Sequence, residues 1–114
     1  MTVPTPLQAF KAEFFKALGH PVRIRILEVL VGGERSVQEL QEALDLGQPI
    51  VSQQLAMLRA KNIVKARKEG TTVRYTIRDP LIGELLLIAR RIFDSQLIDS
   101  QTMLRELRRE ERRR

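Results

Sequence analysis

Gln48, Ser52, Gln53 and Gln54 fall close together in a stretch that runs on to Arg59, and the next stretch carries Lys65, Arg67, Lys68, Thr71, Thr72, Arg74 and Arg78. These side chains suit recognition better than bond-making. A glutamine amide can bond adenine at two points and a serine hydroxyl serves either base type, while lysine and arginine meet phosphate oxygens. The parts for catalysis are missing. There is no Gly-rich phosphate loop followed by Lys-Ser/Thr, no pair of histidines, and no nucleophile with a plausible base. The absence of cysteine removes a disulfide scaffold, a thiolate metal site and a Cys nucleophile, and suits a reducing cytoplasm. Taken singly, a helical glutamine or a lysine on a hairpin is usually a solvated residue. Order and position give the group its meaning.

The elements that must position these residues can be read from spacing. Residues 1–6, with two prolines, read as a loose arm. Leu7, Phe10, Phe14, Ala17 and Leu18 recur at helical intervals and stop at Gly19. Pro21 can open a second helix through Ile24, Ile26, Leu27 and Leu30, ended by Gly32-Gly33. Ser36-Val37-Gln38-Glu39 is a capping box before a short third helix. Asp45-Leu46-Gly47 makes a tight turn, and Pro49 marks the first turn of a fourth helix whose buried stripe is Val51, Leu55 and Leu58. After Asn62 the period changes to alternation, predicting two antiparallel strands, Ile63–Ala66 and Val73–Ile77, joined near Glu69-Gly70-Thr71. Asp79 as N-cap and Pro80 at the first helical position open a long last helix through Ile82, Leu85, Leu86, Ala89, Ile92, Phe93 and Leu97, with a bend or break expected over Ser95–Thr102.

The predicted fold is therefore mainly α with a small β part, a winged helix-turn-helix. Four helices lead to a two-stranded β-hairpin wing and then a long C-terminal helix. Residues 7–98 form the DNA-binding and dimerisation domain, and residues 99–114 a charged helical extension. A single helix fits the major groove of duplex DNA, its N-terminus aims N–H groups at phosphate, and a basic hairpin beside it adds salt-dependent affinity. The first and last helices each carry a wide apolar face: Leu7, Phe10, Phe14 and Phe15 on one, and Leu85, Ile88, Ile92 and Phe93 on the other. A chain of 114 residues covers only part of its surface, so such faces predict a homodimer.

The formal net charge of +6 favours an anionic partner. No spanning helix or signal peptide is expected, so membrane is not among the partners. An aromatic content of 4% argues against single-stranded nucleic acid, which prefers stacking platforms. A winged helix that binds RNA or docks a protein is the alternative.

Ala17-Leu18-Gly19-His20-Pro21-Val22-Arg23-Ile24-Arg25-Ile26-Leu27, Val51-Ser52-Gln53-Gln54-Leu55-Ala56-Met57-Leu58-Arg59 and the wing from Ile63-Val64 to Tyr75 resemble the ArsR/SmtB family of small bacterial regulators over roughly residues 7 to 98. The resemblance implies a homodimer that places two recognition helices in successive major grooves of a palindromic operator, repressing transcription until an inducer binds. Many members sense metal, and here the sequence departs from them. Ser36 and Val37 stand where one kind of site has thiolates. Asp79 is kept from another kind, but Leu81, Ile92 and Ser95 stand where its other ligands would align. No cofactor and no metal site of those kinds is expected, and sensing would fall to a separate sensor or co-regulator protein. His20 is expected to cap or turn, with a ligand or pH-sensitive role as the alternative. The mixed Arg/Glu end reads as a solvated helix, the alternative being a basic tail on phosphate.

Overall fold

The computed structural model describes residues 3–96 and 101–113. Leu97 and the expected boundary at residue 98 lie outside them, as does Arg114. Among the described residues there are six helices and one three-stranded sheet: α1 (Pro6–Leu18), α2 (Pro21–Val31), β1 (Arg35–Ser36), α3 (Val37–Leu44), α4 (Gln48–Ala60), β2 (Val64–Glu69), β3 (Thr72–Ile77), α5 (Leu81–Gln96) and α6 (Gln101–Arg113). The chain divides into two compact units, one up to Asp79 and the other from Pro80.

In the first unit α1 starts one residue before the expected position. Thr5-Pro6-Leu7-Gln8 is itself a capping box: the Gln8 N–H donates to Thr5 Oγ1 at 3.1 Å and the Thr5 N–H to Gln8 Oε1 at 2.9 Å, with Pro6 in the first turn. Of the expected arm, only Val3 and Pro4 among the described residues precede this cap. His20 caps α2, its Nδ1 accepting from the Val22 N–H at 3.2 Å. Ser36 and Glu39 form the predicted box at α3, through the Glu39 N–H to Ser36 Oγ (3.1 Å) and the Ser36 N–H to Glu39 Oε1 (2.9 Å).

The turn between α3 and α4 depends on Asp45, held at φ 55°. The left-handed residue lets the Leu46 N–H reach back to the Gln41 carbonyl at 3.3 Å and satisfy an end carbonyl of α3. A second such residue, Asn62 at φ 58°, ends α4. The Ile63 N–H reaches Leu58 O and the Asn62 N–H reaches Arg59 O, both at 3.0 Å, the two bonds of a Schellman motif. Leu58 and Ile63, which that motif brings together, are both fully buried. This is why Ile63 closes the helix instead of opening the strand, as expected from the alternation; its carbonyl still accepts the Arg78 N–H at 2.9 Å.

The hairpin turns on Gly70 and Thr71. Gly70 has φ +61°, the first loop position that a II′ turn reserves for glycine. The sheet order is β1-β3-β2, all antiparallel. The sequence reading missed β1, which pairs Arg35 with Tyr75 and Ser36 with Arg74. Two residues are too short to show alternation, and their partners lie far along the chain.

Ile26, Leu27, Leu40, Val51, Leu55, Leu58, Ile63 and Val64 are the fully buried side chains, each contributing about 1.5–3 kcal/mol by leaving water. They bind α2, α3, α4 and the wing into one core. Arg25 adds a polar tie, its Nη2 donating to the Leu44 carbonyl at 2.8 Å.

In the second unit α5 begins at Leu81, one residue after the expected start. The Pro80 carbonyl accepts from both Gly83 (3.1 Å) and Glu84 (3.4 Å), so the first turn is tight. The long helix expected here, with a bend or break over Ser95–Thr102, is seen among the described residues as two helical segments. Arg90 of α5 donates to the Leu107 carbonyl of α6 at 2.9 Å and pairs with Glu111 at 3.1 Å.

Candidate nucleic-acid interface

α4 has one buried side and one outward side. Val51, Leu55 and Leu58 are sealed in the core, while Gln48, Pro49, Gln53, Ala56, Arg59 and Ala60 are exposed and Ser52 and Gln54 half-buried. At 3.6 residues per turn this puts Pro49, Gln53, Ala56 and Ala60 at the outward pole, with Gln48, Ser52 and Arg59 along one flank. Gln48 Nε2 donates to Ser52 Oγ at 2.8 Å, one turn away, so the two polar heads are held as a pair. Gln54 is differently placed. Its Oε1 accepts from Arg23 Nε at 2.8 Å, and the same guanidinium donates through Nη1 to the Ala17 carbonyl at 3.0 Å. Arg23 thus joins the end of α1 to the middle of α4.

The N-terminus of α4 carries no side-chain cap; Gly47 supplies only its carbonyl, to Val51 at 3.2 Å. Unlike α1, α2 and α3, this end leaves first-turn N–H groups for an outside acceptor. Exposed Ile50 and Met57 lie on the other flank of the same outward side, at 45% and 43% of full exposure. The sequence reading passed over them; the signal was that neither falls in the Val51–Leu55–Leu58 stripe. An apolar group in a major groove can meet a thymine methyl.

On the wing Lys65, Arg67, Lys68, Thr71 and Thr72 are exposed and Arg74 is half-buried. Lys65 and Lys68 make no ion pair among the described residues. Arg67 and Arg74 are both held by carboxylates, Arg67 by Glu34 and Glu69 and Arg74 chiefly by Glu39. The Arg67 guanidinium, hydrogen-bonded to Glu34, holds that carboxyl below the usual range. Glu39 is lowered too, first by the Ser36 N–H it accepts and then by the Ser36 hydroxyl.

A helix with a polar outward face, an uncapped N-terminus and a cationic hairpin directly after it is the arrangement of a winged helix-turn-helix. The description "Bacterial regulatory protein, arsR family" matches residues 20–66, from the cap of α2 into β2. The HTH-type transcriptional regulator Rv0081 of Mycobacterium tuberculosis is 47% identical over 104 residues, 90% of this chain and 91% of that protein. The chain belongs to the ArsR family. The crystal structure of Rv0081 superposes with a TM-score of 0.78 over 84% of this chain and 97% of that one. The biofilm growth-associated repressor of Xylella fastidiosa is 38% identical over 75% of each chain. Mb0332 of Mycobacterium bovis, described as a homodimeric winged helix-turn-helix DNA-binding domain, is 29% identical, with a TM-score of 0.74 over 85% of this chain and 94% of that one.

This ArsR-family protein is a transcriptional regulator and not an enzyme. Apolar side chains are also exposed elsewhere. On α1, Leu7, Phe10 and Phe15 face out at 61%, 72% and 60% exposure, and Phe14 is half-buried with its ring edge-on to Phe15 at 5.5 Å. On α5, Ile88, Ile92 and Phe93 are about half exposed, Leu85 is half-buried, and Leu81 and Leu87, not singled out beforehand as interface residues, are also exposed. Among the described residues no three acidic or histidine side chains converge as a metal site, and no helix is long and apolar enough to cross a membrane.

Proposed function

We propose that the regulator is a repressor that binds a palindromic duplex operator as a homodimer, each copy laying α4 in the major groove. One observation carries this: the outward side of α4 offers the Gln48–Ser52 pair and Gln53 over an open helix N-terminus, and the chain passes directly from there into the wing. Gln48, Ser52 and Gln53 read base edges, and Pro49 lets the backbone approach phosphate with no cap in the way. Arg59, Lys65, Lys68, Thr71 and Thr72 meet the sugar-phosphate backbone. Gln54 supports α4 through Arg23. The apolar faces of α1 (Leu7, Phe10, Phe14) and α5 (Leu85, Ile88, Ile92, Phe93) are the dimer surfaces, and half-sites lie about one helical turn, ~34–36 Å, apart. Acting on bacterial DNA, the protein works in the cytoplasm.

The test is a mobility shift on the protein's own promoter with nonspecific competitor. Ser52→Ala and Gln53→Ala each weaken specific binding by ~1–3 kcal/mol while leaving nonspecific binding unchanged. Equal loss on every sequence would show that these residues do not read bases.

We also propose that the subunit has no metal site of its own and that a separate sensor or co-regulator protein relays the signal. In support, Ser36 and Glu39 are spent on the cap of α3, and His20 Nδ1 on the cap of α2. Titration calorimetry with Zn²⁺ and Ni²⁺ is expected to find no submicromolar site; one such site per subunit would overturn this.

A further inference from the structure

The outward face of the wing holds a row of charges that alternates in sign. By register, Lys65, Arg67 and Glu69 of β2 share that face with Thr76, Arg74 and Thr72 of β3, and Arg67 stands directly opposite Arg74. Two like charges facing each other across a ladder repel. Three carboxylates surround them. Glu34, from the loop before β1, grips Arg67 at two points, Oε1 to Nη2 at 2.6 Å and Oε2 to Nε at 3.3 Å. Glu69 accepts from Arg67 Nη2 at 2.8 Å and lies 3.6 Å from Arg74 Nε. Glu39 accepts from Arg74 Nη1 at 3.1 Å with the same oxygen that accepts the Ser36 N–H. The row reads Glu34, Arg67, Glu69, Arg74, Glu39, and it runs from the loop before β1, across the hairpin, to the first turn of α3. The row thus holds three carboxylates and two guanidiniums.

A guanidinium in such a row is a poor phosphate contact. To take a phosphate, Arg67 must leave two carboxylates or carry them toward the DNA backbone, where their charge opposes binding. Resting on the DNA-binding reading above, we propose that Arg67 and Arg74 are positioning residues that fix the wing against the N-terminal end of α3, and that the wing's phosphate contacts are made by Lys65 and Lys68. Both lysines are exposed and stand outside the row. The wing is thereby held at a set angle to the helix-turn-helix by charges that contribute nothing to the salt dependence of binding.

The measurement is Kd for promoter duplex against NaCl concentration. Lys65→Gln and Lys68→Gln, each removing one phosphate contact from both copies of the homodimer, reduce the slope of log K on log salt by about 2, whereas Arg67→Gln leaves it unchanged within about 0.3. Arg67→Glu weakens binding, and the charge swap Glu34→Arg with Arg67→Glu restores Kd to within about threefold of the unaltered protein. An Arg67→Gln slope that falls as the lysine slopes do, or a swap as weak as Arg67→Glu alone, overturns the proposal. If the unaltered protein binds no duplex, the DNA-binding reading itself has failed. The row is then judged by urea midpoint, which Arg67→Glu lowers and the swap recovers; no recovery overturns it.

Discussion

A carboxylate that accepts hydrogen bonds in the folded chain gives up its proton more readily than in the unfolded one. Glu34, first through the Arg67 hydrogen bond, and Glu39, first through the Ser36 N–H, are both lowered in this way. Their contribution to stability is complete above the ordinary unfolded value of about 4.3 and is lost as pH falls through the lower folded values. Urea midpoints taken from pH 6 down to about pH 3 should therefore drop more steeply for the unaltered protein than for the Glu34→Gln, Glu39→Gln double variant. Parallel curves would mean that the two carboxylates are as free in the folded chain as in the unfolded one. The same scale separates the glutamines of α4. Gln48 and Gln53 have exposed side chains, while Gln54 is committed to Arg23, so identical residue types within one helix have different work.

At the scale of elements, two left-handed residues decide where α3 and α4 stop. Asp45 and Asn62 adopt φ near +55°, a region where a short polar side chain is tolerated and a β-branched one is strained. Asn62→Val is expected to cost ~1–2 kcal/mol in urea unfolding, and Asn62→Gly to be close to neutral. Comparable losses for both would show that the Asn62 side chain matters more than its backbone angle. The stop at Asn62 also sets the phase of the wing, since it puts Ile63 in the core and lets alternation start at Val64. The minor strand β1 works in the same direction. It adds a third strand to the hairpin and delivers Ser36 to the cap of α3.

For the whole molecule, the exposed apolar faces of α1 and α5 weigh most. Rings such as Phe10 and Phe93 left in water would favour association, and a symmetric pair removes the surface with no second protein. Phe10→Glu and Ile92→Glu, each placed on an exposed position, should yield folded protein that sediments near 13.1 kDa. Such a monomer should also bind operator with a shallower salt slope, because it neutralises fewer phosphates. A persistent dimer in both variants would place the interface elsewhere.

Periodicity and capping chemistry in the chain itself determined the order of helices, the turn at Asp45–Gly47, the hairpin and the buried stripe of α4. Each of these rests on residues within a few positions of one another, where local sterics and hydrogen bonds decide. That Gln48, Ser52 and Gln53 lie off the buried stripe was legible for the same reason. The tertiary structure alone decided three things: that Gln54 serves Arg23, that β1 exists, and that Arg67 and Arg74 are engaged by Glu34, Glu69 and Glu39. Most of these are pairings across some thirty or more positions of chain. A charge or an amide carries no mark of its distant partner until folding brings the two within hydrogen-bond reach.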